Sequence, residues 1–326
     1  MLFKPTNNYH ILTEDEFSDE ITVIEKELQN YSTSGKISSF DGCKLAYEYF
    51  EADNSIGSII LIHGFTEFYK KFYEMAWYFL NMGYSVFLYD QRGHGLSDRQ
   101  VDNPQLTHIN DFNDYVKDLD CIINNIVVPA SADKPIYIFA HSMGGAVASM
   151  YLSENSGKIK RAILSSPMVC PKTHGIPGGM VKLISKRYAK KDGWEARFRH
   201  SGDFNPNPDF IRSSDSSLAR FKHNLDFRIQ HDYYQNSSFS NRWMYEALKV
   251  KKILLNSHYA KKIKTDVLIF SASKDRVVHT APQRRLAKKL PHCTLVTIPG
   301  AKHTVYTGSG PMLDYFYETV ISFFNN

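Results

Sequence analysis

Short apolar runs alternate with helix-like stretches along this chain, and no other feature restricts the fold as much. Residues 58–62, 84–89, 135–140 and 162–165 read as strands that are apolar on both faces. Between them, residues 72–82, closed by Gly83, read as a helix, as do 111–127, with Asn110 or Asp111 as a cap, and 144–152. Strands without polar alternation are buried on both faces, and a strand–helix–strand order supplies the helices that bury them. The expected class is therefore α/β, with a mostly parallel central sheet flanked by helices. Upstream, residues 36–50 predict a hairpin around Asp41-Gly42. Residues 1–30 read as an acidic N-terminal extension with some helical pattern.

The rhythm stops after residue 168 and resumes at 265. From there, strand 266–270, helix 281–290, strand 294–298 and helix 312–324 follow. The expected organisation is a sheet domain of residues 1–168 and 265–326, interrupted by a basic, aromatic insertion of residues 169–264. That insertion holds 19 Lys and Arg against 8 Asp and Glu, a net charge of +11, while the remainder carries −6. With 43% apolar, 13% aromatic and 22% charged residues, the chain is neither disordered nor fibrous. No apolar run approaches the roughly 20 residues of a membrane span. Seven acids in the first 30 residues argue against a signal peptide. Cys43, Cys121, Cys170 and Cys293 lie at least 49 residues apart, which predicts free thiols in a cytoplasmic protein and no metal site.

The sharpest chemical signal is Ile136-Tyr137-Ile138-Phe139 running into Ala140-His141-Ser142-Met143-Gly144-Gly145. A serine on a tight strand-to-helix turn projects its hydroxyl clear of the sheet, and the turn needs small residues on either side because the two backbones nearly touch. This is the G-x-S-x-G nucleophile elbow with Ala140 in the first glycine place. A serine hydroxyl needs a base, and the base needs an orienting acid. Asp275 follows strand 266–270 and His303 follows strand 294–298, in the chain order Ser, Asp, His. Asp266, a rival acid, starts its strand and so stands at the wrong end of the sheet. The oxyanion donors are expected to be the N–H groups of Met143 and Phe65, with Gly64 letting the loop turn inward. His63 and Glu67 read as residues that order this loop. Gly93-His94-Gly95 hints at a dinucleotide loop, but Asp98 occupies the place of the third glycine.

Taken together, the His63-Gly64 loop, Asp90-x-Arg92-Gly93-x-Gly95-x-Ser97, the Ala140–Gly145 elbow, Asp275 and His303 resemble the α/β-hydrolase superfamily in its monoacylglycerol-lipase-like branch. Phe112-Asn113-Asp114-Tyr115-Val116-Lys117-Asp118-Leu119 and Ala219-Arg220-Phe221-Lys222-His223-Asn224-Leu225 look like the bacterial lysophospholipase group. The resemblance implies a cap over the active site, formed by the insertion. It implies hydrolysis of a lysophospholipid to a fatty acid and a glycerophosphodiester, without metal or organic cofactor, at the cytoplasmic face of a membrane. Trp194, Phe198, Phe210, Phe221, Phe227, Tyr233, Tyr234, Phe239, Trp243 and Tyr245 are then expected to line an acyl channel. The basic insertion would suit a phosphate headgroup and an anionic bilayer. A monoacylglycerol lipase, a general carboxylesterase and a non-catalytic binding protein of the same fold are the alternatives. No nucleic-acid-binding module is recognisable.

Overall fold

A computed structural model describes residues 1–6 and 10–325; residues 7–9 of the N-terminal extension, and residue 326, lie outside the described residues. In chain order the elements are α1 (Glu14–Gln29), β1 (Ser32–Ser38), β2 (Lys44–Phe50), β3 (Gly57–Ile62), α2 (Tyr73–Asn81), β4 (Tyr84–Tyr89), β5 (Leu106–Thr107), α3 (Asn113–Ile122), α4 (Val128–Ala130), β6 (Ile136–His141), α5 (Met143–Asn155) and β7 (Arg161–Ser165). They continue as α6 (Gly178–Asp192), α7 (Leu218–Gln230), β8 (Ser238–Phe239), α8 (Asn241–Leu254), α9 (Ser257–Ala260), β9 (Asp266–Ala272), α10 (Thr280–Ala287), β10 (Cys293–Ile298) and α11 (Pro311–Asn325).

Eight strands form one sheet in the order β1-β2-β4-β3-β6-β7-β9-β10. The hairpin β1–β2 and the pair β2–β4 are antiparallel; every other pairing in the sheet is parallel. This is the α/β-hydrolase fold. Period-two alternation sends the apolar side chains of each strand to opposite layers. Ile60 and Ile62 of β3 join the layer that contains Leu119 of α3 and Val147 of α5. Ile59 and Leu61 join the layer that contains Phe79 of α2 and Phe316 of α11. Each such fully buried side chain contributes about 1.5–3 kcal/mol.

The helix expected over 111–127 runs regularly only to Ile122, and residues 123–127 widen into a π-helical turn in which Val128 N–H reaches back to Ile123 O. Pro129 lies just beyond and has no N–H to give to a regular turn. The acidic start of the chain is ordered by a capping box: Thr13 accepts from Glu16 N–H, and Glu16 accepts from Thr13 N–H.

The strand order reverses at β3 and β6: β4 lies beside β3 on one side, and β6 lies on the other. At such a switch point the loops leaving the strand ends diverge and open a crevice. Residues 169–264 add no strand to this sheet; β8 instead pairs with β5 in a separate two-stranded ribbon. Among the described residues no helix is long and apolar enough to cross a membrane.

Candidate active site

The crevice is built by close backbone approach. A Cβ at Gly144 would stand 2.5 Å from Ile62 O and 2.6 Å from His63 O, so the first turn of α5 can lie against the end of β3 only with glycine there. A Cβ at Gly64 would come 3.0 Å from Ser142 Cβ. Ala140 is fully buried in β6, as is Met143 at the start of α5. Between them Ser142 takes φ +52°, ψ −113°, a conformation that non-glycine residues rarely adopt. Its carbonyl accepts from the N–H groups of Met168 and Ala146, which helps to hold that geometry.

Ser142, His303 and Asp275 meet although they are far apart in sequence. His303 Nδ1 lies 2.7 Å from Asp275 Oδ2, and His303 Nε2 lies 2.8 Å from Ser142 Oγ. Asp275 can only accept while ionised, so Nδ1 donates to it and Nε2 is left to accept from the serine hydroxyl. Asp275 Oδ1 accepts from the N–H groups of Val277 (2.7 Å) and Val278 (2.9 Å). Burial would push the Asp275 carboxyl up, but the His303 hydrogen bond and those two N–H groups hold it below the ordinary carboxylate value. The imidazole ring of His141 lies 4.8 Å from that of His303. Burial pushes His141 down to about 4, so at neutral pH it places no second positive charge beside His303.

Of the two expected oxyanion donors, one starts a helix and the other stands on the loop after β3. Met143 is the first residue of α5, where a helix N–H has no intrahelical acceptor. Phe65 follows Gly64, whose N–H donates to Glu67 Oε2 at 2.7 Å. Glu67 is therefore a loop residue, as its position suggested. It also takes Lys71 Nζ at 2.8 Å and Tyr306 Oη at 3.0 Å. Burial opposes its ionisation, but the Lys71 charge holds its carboxyl far below the usual range. His63 donates from Nδ1 to Gly64 O and accepts Gln91 N–H at Nε2, a neutral ring that pins the same loop to the turn after β4. Gly93 and Gly95 serve a turn and not a nucleotide: both have positive φ, and a Cβ at Gly95 would overlap the Asp90 carboxylate.

A cavity of about 420 Å³ opens at Ser142 and His303. Its apolar wall includes Phe65, Phe68, Phe204, Phe221, Leu225 and Val277. Of the ten aromatic residues expected to form an acyl channel, only Phe221 is on this wall. The others pack on their neighbours: Tyr234 stacks on Phe68, Trp243 lies against Phe65, and Trp194 meets Tyr245 edge-on. Their rings are used to bury the layer itself, which leaves few to face an open space. Three charged residues on the cavity wall, Lys71, Asp215 and Arg228, were missed in the sequence. Lys71 is four residues from Glu67, a spacing that could have revealed the pair. Asp215 and Arg228 carry no local motif; Asp215 reaches Lys71 at 3.4 Å from the inserted segment.

A family model described as Hydrolase_4, serine aminopeptidase S33, matches residues 53–308. Lysophospholipase L2 of Escherichia coli is 35% identical over 128 residues, which is 39% of this chain and 37% of that protein. Monoglyceride lipase of Saccharomyces cerevisiae is 27% identical over 158 residues, 47% of this chain and 50% of that protein. These matches thus span half or less of the relatives' own length. Among solved structures, a soluble variant of the Saccharomyces cerevisiae monoglyceride lipase, in complex with a substrate analog, superposes with TM-score 0.71 at 20% identity, over 89% of this chain and 93% of that one. A thermostable carboxyl esterase from Bacillus coagulans gives TM-score 0.72 at 18% identity, over 90% and 98%. At such identities the structures speak for the fold alone.

Proposed function

This chain belongs to the Hydrolase_4 family, and we propose that it is a serine ester hydrolase that releases a fatty acid from a lysophospholipid through an acyl-enzyme. The observation that carries the reading is the continuous chain of hydrogen bonds from Ser142 Oγ through His303 to Asp275. Ser142 Oγ attacks the acyl carbonyl while His303 Nε2 takes its proton. His303 returns that proton to the glycerol oxygen as the C–O bond breaks. A water then attacks the acyl-serine, its proton passes to Nε2 and back to Ser142, and the fatty acid leaves. Asp275 fixes the tautomer and stabilises the imidazolium. The N–H groups of Phe65 and Met143 hold the tetrahedral oxyanion, a contribution of about 3–4 kcal/mol per donor in comparable sites.

The family description names a peptidase, and the cavity argues for esters instead. A peptide's terminal ammonium needs a free carboxylate. The two carboxylates among the described cavity residues, Glu67 and Asp215, are both taken by Lys71. Residues 169–264 then act as a cap, and their net +11 suits a headgroup phosphate and the anionic cytoplasmic face of a membrane. The relatives named above as a lysophospholipase and a monoglyceride lipase support an acyl-glycerol substrate.

The test is a fluorophosphonate label followed by a lipid panel. Ser142 is expected to be labelled, and kcat/KM is expected to be higher on a lysophospholipid than on a monoacylglycerol of equal chain length. An unlabelled Ser142 ends the mechanism. Preference for the monoacylglycerol ends the substrate assignment and leaves the neutral-lipid reading in its place.

A further inference from the structure

Arg228 stands on the wall of the cavity that opens at Ser142, and among the described residues no carboxylate touches it; Glu67 and Asp215 act on its charge only from a distance. Its Nε donates to Tyr234 O at 3.0 Å and its Nη2 to Asn236 O at 2.6 Å. Its guanidinium lies 4.7 Å from the centre of the Phe204 ring, which is on the same wall. No acceptor meets Nη1 and no carboxylate pairs with Arg228 among the described residues. The nearby acids are already engaged: Glu67 accepts from Gly64, Lys71 and Tyr306, and Asp215 from Lys71 and Thr307.

We infer that Arg228 is a phosphate subsite: it receives the phosphodiester of a lysophospholipid whose ester lies at Ser142. The inference rests on the lysophospholipid reading and assigns the residue that would enforce it. Two carbonyl oxygens can be clasped by a neutral amide, so holding Tyr234 and Asn236 does not require a charge. A half-buried cation held by two carbonyls and an aromatic ring, with no carboxylate in contact, keeps a desolvation cost that an arriving anion relieves. Burial pushes the Arg228 guanidinium down to about 10, which leaves it protonated at neutral pH. Two of its nitrogens are fixed by the carbonyls, so the fork is oriented before the ligand arrives, and a guanidinium presents paired N–H groups that match phosphate oxygens. The same cavity offers Asn205, Asn224 and Ser214 as further polar partners, and Phe221 and Leu225 as apolar surface. One ligand carrying both an anion and an acyl chain fits that division.

The experiment measures kcat/KM on a lysophosphatidylethanolamine and a monoacylglycerol of equal chain length, for the wild-type chain, Arg228→Gln and Arg228→Lys. In Arg228→Gln the lysophospholipid-to-monoacylglycerol ratio is expected to fall tenfold or more, chiefly through KM. Arg228→Lys is expected to recover part of it, since it restores the charge without the fork. A ratio that stays within twofold in a folded Arg228→Gln overturns the inference, even while the wild type still prefers the lysophospholipid. A wild type with no activity on lysophospholipid overturns the substrate reading and this inference together. Should Arg228→Gln fail to fold, protection of wild-type Ser142 decides. Glycerophosphoethanolamine is expected to slow fluorophosphonate labelling where glycerol does not. Equal protection by inorganic phosphate, or none by the diester, overturns the headgroup assignment.

Discussion

Helix α5, which starts just behind Ser142, and helix α7, which lines the cavity, are held in opposite ways. α5 is buried at every residue from Met143 to Ser153, wedged between β6 and the neighbouring helices. α7 has a single buried residue, and it is Arg220. Arg220 binds Glu74 of α2 and donates to Leu12 O at 2.9 Å, while His223 meets Glu25 of α1 at 2.8 Å. One helix is fixed by apolar packing, the other by polar pins set against α1 and α2. Ser142, the proposed nucleophile, stands at the start of the first. Arg228, proposed to read the headgroup, stands on the second. Fixed geometry matters most where atoms react, and a polar-pinned layer can vary its lining without disturbing the sheet.

The largest break in this comparison is Ser142→Ala. We expect ester hydrolysis to fall by ~10⁴-fold or more with the fold retained; released fatty acid and a thermal melt read the two halves. Next is Asp275→Asn, which removes the acceptor that fixes the His303 tautomer and should cost on the order of 10⁴-fold in kcat. It also has a signature in pH. Asp275 is held below its unfolded value of roughly 3.9, so it contributes stability above that pH and loses it as the pH falls through its lower folded value. Denaturant midpoints from pH 6 to pH 3 should therefore decline less in Asp275→Asn than in the wild type; parallel declines would refute the role. Third, Lys71→Met strands Glu67 and Asp215 as buried unpaired carboxylates and should destabilise by about 3 kcal/mol. A urea midpoint unchanged by this substitution would mean that the inserted segment does not depend on charge for its attachment. The smallest effect belongs to Lys190→Ala in α6, an exposed site with no partner among the described residues, where about 0.5 kcal/mol or less is expected.

The sheet was legible because unbroken apolar runs bounded by turn residues have few other uses. Residues 58–62 and 84–89, read as strands, are the fully buried β3 and β4. The proximity of Ser142, Asp275 and His303 was legible because each follows a strand whose place in the order is fixed. The cavity wall was not. Asp215, Arg228 and Phe204 lie in an insertion without regular alternation, and what each side chain faces depends on how short helices settle on the sheet domain. The aromatic residues misled for the same reason. Composition says that rings are abundant there, but whether a ring lines a space or fills one is decided by packing, as the stack of Tyr234 on Phe68 illustrates.

The backbone of Ser142 has a consequence for how such a chain can change over time. At φ +52° and ψ −113° any side chain other than glycine's is disfavoured, by about 1–3 kcal/mol. Replacing Ser142 with glycine would thus relax the elbow while abolishing the reaction. At this one position local backbone stability and the proposed chemistry therefore oppose each other. Under the proposed mechanism, a lineage freed from the demand for turnover would drift toward a sturdier protein that keeps the cavity and loses the chemistry.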